Sequence, residues 1–257
     1  MNAELITKER IQGTSVNTVL RNTYWLLSLT LVFAAFTAGI SMALNLPHPG
    51  LLLTLAGYFG LFFLTSRYRN SALGLAFVFA LTGFMGYTLG PILNAYMGMT
   101  GGAQIVMTAF AGTGVIFLGL SGYALTTRRD FRFLGGMLFV GILVAFLAGI
   151  AALFFSMPAL ALAVSAMFVL LMSGLILYET QQIARGGETN YIMATVTLFV
   201  SIFNLFTSLL HLLGAAHVVL PELVTMVEGA DAIGQLAGLD RTLVAFFEML
   251  PGRPDRH

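Results

Sequence analysis

The chain has 257 residues, 58% of them hydrophobic and 9% charged, with 12 Lys and Arg against 11 Asp and Glu. Soluble domains carry about 25% charged residues, so this much apolar surface points to a polytopic all-α membrane protein rather than a water-soluble fold. A net charge of +1 argues against a nucleic-acid partner, and the absence of cysteine removes disulfides, thiol nucleophiles and cysteine-ligated metals.

Residues 1–20 are polar and hold Glu4, Lys8, Glu9 and Arg10, without the apolar stretch of a signal peptide. They are expected to form a flexible cytoplasmic tail. Four uncharged runs follow, at 22–66, 70–127, 133–178 and 189–221. A membrane-spanning helix needs about 20 apolar residues. The first three runs each hold two helices and a turn, and the fourth holds one. The turns are expected at Asn45–Gly50, Gly98–Gly102 and Ser156–Pro158, where glycine and proline break the helical pattern. The predicted spans are 22–44, 50–67, 71–96, 103–126, 132–156, 158–182 and 191–214, forming a transmembrane domain over 21–214.

Every internal charged cluster is separated from the next by two crossings, so Arg21, Arg67, Arg69, Arg128, Arg129, Arg132 and Arg185 share one side. The positive-inside rule makes that side cytoplasmic, with the amino terminus inside and the tail 215–257 outside. That tail carries three arginines and six acids. Its region 222–250 is too polar for an eighth span and suits short interfacial helices, with disorder as the alternative.

Within the predicted third span, Gly86 and Gly90 form a GxxxG step leading into Pro91. This pattern lets helices approach closely and breaks the helix locally. Glu179 is the one acid placed in or at the end of a span, with Tyr178 before it and Gln182 on the same face. An ionisable group at such depth is costly and marks a pathway or a partner. Arg67 and Arg69 are the bases nearest to it in depth. It is either a wetted helix-end acid or a latch whose protonation opens and closes a cytoplasmic contact. On the last predicted helix Thr197, Ser201, Asn204, Ser208 and His211 recur at steps of four and three. Such a polar stripe should face other helices, through interhelical hydrogen bonds or as the wall of a wet path.

Several active sites are excluded. Gly119-Leu-Ser-Gly122 has the form of an intramembrane serine protease motif, but Ser121 and His211 are predicted at opposite ends of the bundle. The four histidines lack metal spacing, and the lone lysine, Lys8, precedes the spans. No cofactor, metal or enzymatic activity is expected.

The stretches Leu89-Gly-Pro-Ile-Leu93, Met107-Thr-Ala-Phe110, Ser121-Gly-Tyr-Ala-Leu-Thr-Thr-Arg-Arg-Asp-Phe131 and Phe133-Leu-Gly-Gly-Met137 resemble the Bax inhibitor (TMBIM) family. Leu177-Tyr-Glu-Thr-Gln-Gln-Ile183, Gly186-Gly-Glu-Thr-Asn-Tyr191, Phe203-Asn-Leu-Phe206 and Ser208-Leu-Leu210 are similar to its bacterial YccA branch. The resemblance covers about residues 15–215. It implies seven transmembrane helices with the seventh central among six. It also implies an inner-membrane protein that binds the AAA protease FtsH and its accessory membrane proteins and restrains that protease. Other members of the family are pH-sensitive calcium leak channels that use two acids near an arginine. The first acid falls on Glu179, the second on Ser201, which cannot ionise, and the arginine near Tyr68 between Arg67 and Arg69. The missing acid removes the like-charge coupling on which such a switch relies.

Overall fold

A computed structural model describes residues 2–218, with side chains from residue 16 onward. Among the described residues there are seven helices and no strand: α1 Asn2–Ala43, α2 Leu51–Arg67, α3 Ala72–Met97, α4 Gly102–Thr126, α5 Leu134–Phe154, α6 Pro158–Ala184 and α7 Tyr191–Val218. Residues 2–214 belong to one compact unit. The interfacial helices expected over 222–250 lie outside the described residues.

The helices meet the predicted spans to within a few residues, because the same breakers end them. Gly101 takes a left-handed φ of 71° just ahead of α4, a conformation that costs glycine nothing. Pro158 occupies the first turn of α6, where its missing N–H is no loss. The amino-terminal residues differ from expectation: residues 2–20 continue α1 as helix. That helix has 42 residues, about 63 Å at 1.5 Å per residue, so it outlasts a hydrocarbon core of about 30 Å. The candidate membrane span within it covers Val16–Ala43.

Six helices are long and apolar enough to cross a membrane. α2 has 17 residues, about 26 Å, and is shorter than a full core. Half of the most apolar window of α7 is buried inside the protein, against 17–39% for the other five long helices. Leu198, Phe199 and Leu205 of α7 join one core cluster with Leu27 of α1, Leu81 of α3 and Ile176 of α6. Phe206 and Leu210 join a second with Ile105 and Ala109 of α4. On α2, Tyr58 stands edge-on to Phe203 at 6.4 Å.

The α1–α3 crossing depends on two glycines and a proline. A Cβ on Gly86 would strike Thr37 Oγ1 and the Ala34 carbonyl, and would lie 2.9 Å from Ala34 Cα. A Cβ on Gly90 would strike Ser41 and lie 3.1 Å from the Ala38 carbonyl. Pro91 does not break the helix, contrary to expectation: α3 runs unbroken to Met97. Proline removes the bond to the carbonyl four residues earlier, here that of Tyr87. Ser41 Oγ of α1 donates to that carbonyl at 2.9 Å. The neighbouring helix thus supplies the missing donor, which the close approach at Gly90 allows. Ser41→Ala should cost about 1–3 kcal/mol, the penalty for a buried acceptor left unpaired. Thermal unfolding in detergent checks this, with Thr37→Ala as comparison. The Thr37 hydroxyl bonds only to Ala34 of its own helix, and its loss should cost less.

Candidate functional site

One end of the helical unit concentrates the polar residues. It is formed by the α2–α3 turn at 68–71, the α4–α5 loop at 127–133 and the α6–α7 loop at 185–190. The α6–α7 loop starts where Gly186 takes a left-handed φ of 72°. Asn190 then caps α7, its Oδ1 accepting from the N–H groups of Ile192 and Met193 at 3.1 Å each. Its Nδ2 donates to the Arg69 carbonyl at 3.1 Å and to Asn70 Oδ1 at 2.8 Å, tying α7 to the α2–α3 turn.

The α4–α5 loop is held more firmly. Gln181, 2% exposed on the last turns of α6, accepts from the Phe131 N–H at 2.7 Å and donates to the Arg129 carbonyl at 2.7 Å. Arg185 donates to the carbonyls of Arg128 and Arg129 and lies 3.6 Å from Asp130. Sequence reasoning missed Gln181, Asp130 and Arg185. Their partners stand about fifty residues away along the chain, and neither spacing nor composition signals the pairing.

The predicted site residues fall as follows. Glu179 is half-buried on α6, two residues before Gln181, and no hydrogen bond or ion pair holds its carboxylate among the described residues. Tyr178, the residue before it, and Gln182, on its face, bond to each other at 3.0 Å. Arg67 and Arg69 are exposed at the same end, but the arginine that pairs with an acid there is Arg185. The Arg67 guanidinium lies 6.0 Å from the Tyr68 ring instead.

Ser201 is fully buried, and Asn204 and His211 are half-buried, so the stripe does face inward. Its bonding departs from the expected interhelical pattern. Ser201 donates to the Thr197 carbonyl at 2.8 Å, Asn204 to that of Val200 at 2.9 Å and Thr197 to that of Met193 at 3.0 Å. Short polar side chains in a helix find the carbonyl four residues back without help from a neighbour. The bond that leaves the helix from this stripe is His211 Nδ1 to Ser165 Oγ of α6, at 2.7 Å. Thr195, one face away, reaches the Thr23 carbonyl of α1 at 3.3 Å.

Ser121 lies 3.4 Å from Thr180, whereas His211 pairs with Ser165. These partners are fifteen residues apart on α6, about 22 Å at helical rise. Ser121 and His211 therefore cannot act as nucleophile and base. No group of three or more metal-ligating side chains occurs among the described residues. What remains among the described residues is a basic end, two acids without an ion pair, Glu179 and Glu188, and a largely buried α7 with a polar stripe, an arrangement suited to binding.

The family description "Inhibitor of apoptosis-promoting Bax1" matches residues 16–217. An uncharacterized protein of Pseudomonas aeruginosa is 54% identical over 216 residues, covering 84% of this chain and 95% of the relative. The Escherichia coli K12 protein named "Modulator of FtsH protease YccA" is 53% identical over 208 residues, covering 81% and 94%. An uncharacterized membrane protein of Vibrio cholerae is 42% identical over 219 residues, covering 83% and 97%.

Proposed function

The chain belongs to the Bax inhibitor family, and from that premise we propose that it is an inner-membrane protein that binds an FtsH-type AAA protease and restrains it. The observation that carries this reading is the 53% identity, over 94% of its length, to a relative whose printed name is that of an FtsH modulator. The architecture supports it. In this reading the positive-inside rule puts the arginine-bearing loops and the amino terminus on the cytoplasmic side, the shorter α2 crosses with the six long helices, and α7 is the central pillar. The inward face of α7 meets α1, α2, α4 and α6 through Thr195, Phe203, Phe206 and His211. A bundle built round such a pillar resists extraction, so the protease is occupied rather than fed. Overexpression should slow degradation of the protease's other membrane substrates. Unchanged substrate half-lives at high levels of the chain count against the reading.

A second reading rests on Glu179, a half-buried acid with no ion pair in a candidate span. Acids so placed mark ion pathways, here a calcium or proton leak. Proteoliposomes should then show pH-dependent calcium flux that Glu179→Gln abolishes. Flux that is absent, or equal in parent and variant, removes this reading. Ser201 weakens it already, because its position offers no second carboxylate and its hydroxyl is engaged by Thr197.

A further inference from the structure

The α4–α5 loop holds Arg128, Arg129 and Arg132, all exposed. Its one acid, Asp130, is taken up by Arg185 at 3.6 Å and by the Arg132 backbone N–H at 3.0 Å. The Gln181 amide and the Arg185 guanidinium draw the backbone of residues 128–131 against α6. None of the three remaining guanidiniums makes an ion pair or hydrogen bond among the described residues. The result is a fixed main chain, a neutralised acid and three arginines without partners.

The loop's position selects the anion. It joins two candidate spans that end at Thr126 and begin at Leu134, so it cannot project far from the bilayer. Phe133 beside it is exposed, and Phe131 packs on Tyr123 at 6.1 Å. Aromatic rings at a span end lie at headgroup depth, and arginine forks match phosphate oxygens in pairs.

We infer that the Arg128–Arg129–Arg132 loop, clamped by Gln181, is a binding site for anionic phospholipid headgroups. The clamp orders the arginines before the lipid arrives, so binding does not have to order the loop. The α2–α3 turn carries Arg67 and Arg69 at the same end and serves as an internal comparison for general surface charge.

The full chain, reconstituted in phosphatidylcholine vesicles with spin-labelled phosphatidylglycerol or spin-labelled phosphatidylcholine, tests this. Spin-resonance spectra give the share of each label immobilised at the protein. The parent should prefer phosphatidylglycerol several-fold, and salt should lower that preference by screening. Arg128→Gln/Arg129→Gln/Arg132→Gln should bring it close to one, while Arg67→Gln/Arg69→Gln should keep most of it. Gln181→Leu changes no charge and should still lower it. An unchanged preference in the triple variant, equal losses in the two arginine variants, or a Gln181→Leu chain that matches the parent would overturn the proposal. Immobilisation of phosphatidylcholine by each variant checks that the bundle is intact.

Discussion

Replacing Gly86 by leucine should lower the stability of the helical unit by about 3 kcal/mol or more, at the upper end of overpacking effects. At Gly86 the first added carbon meets the Thr37 hydroxyl and also backbone, the Ala34 carbonyl and Cα, which cannot swing aside as a flexible side chain would. Neither helix can yield locally. The two must separate, and separation also breaks the Ser41 bond to the Tyr87 carbonyl and the Asn94 bonds to Met42 and Asn45. The Tyr87 carbonyl, left unpaired, then adds about 1–3 kcal/mol of its own. Gly60→Leu is the control, since nothing lies within 4 Å of a Cβ there. Thermal or denaturant unfolding in detergent should show a large loss for Gly86→Leu and little change for Gly60→Leu. Equal behaviour would mean that the α1–α3 contact contributes little.

Removing residues 2–15 should lengthen the half-life of the chain several-fold in cells that contain the protease, and leave it unchanged where the protease is absent. These residues precede the candidate membrane span Val16–Ala43. They are helical, yet a free helix of this length is marginal in water. Local unfolding there costs little and yields an extended strand that a AAA ring can grip. Past Val16 the protease meets packed helix instead, with Leu26 and Leu27 in the main core cluster. Pulling then has to dismantle the bundle in one step. A pulse-chase in both strains reads the effect. Equal half-lives for the parent and the shortened chain would show that the grip lies elsewhere.

Much of the fold was legible because charge is so sparse. Gaps between Arg21, Arg67, Arg69, Arg128, Arg132 and Glu179 bound the helices, and Gly101, Ser156 and Pro158 mark where they turn. The misread features share one physical cause, compensation by something distant or by something too local to notice. Pro91 looked like a break because its missing donor is visible in the sequence, whereas the substitute, Ser41, lies 46 residues before the Tyr87 carbonyl it serves. The α7 stripe suggested bonds to other helices because its period is helical. Ser201, Asn204 and Thr197 satisfy themselves on their own backbone, a choice that periodicity cannot reveal. At the candidate site, Glu179 stood out because a charge in an apolar run is conspicuous. Gln181 two residues on did not, although it makes two of the main-chain bonds that hold the α4–α5 loop, beside those of Arg185.

The most direct measurement is affinity capture of the tagged full chain in mild detergent, followed by identification of what comes with it. The account predicts an FtsH-type protease as a co-purifying membrane partner. A folded, well-expressed chain that emerges without that protease would contradict it.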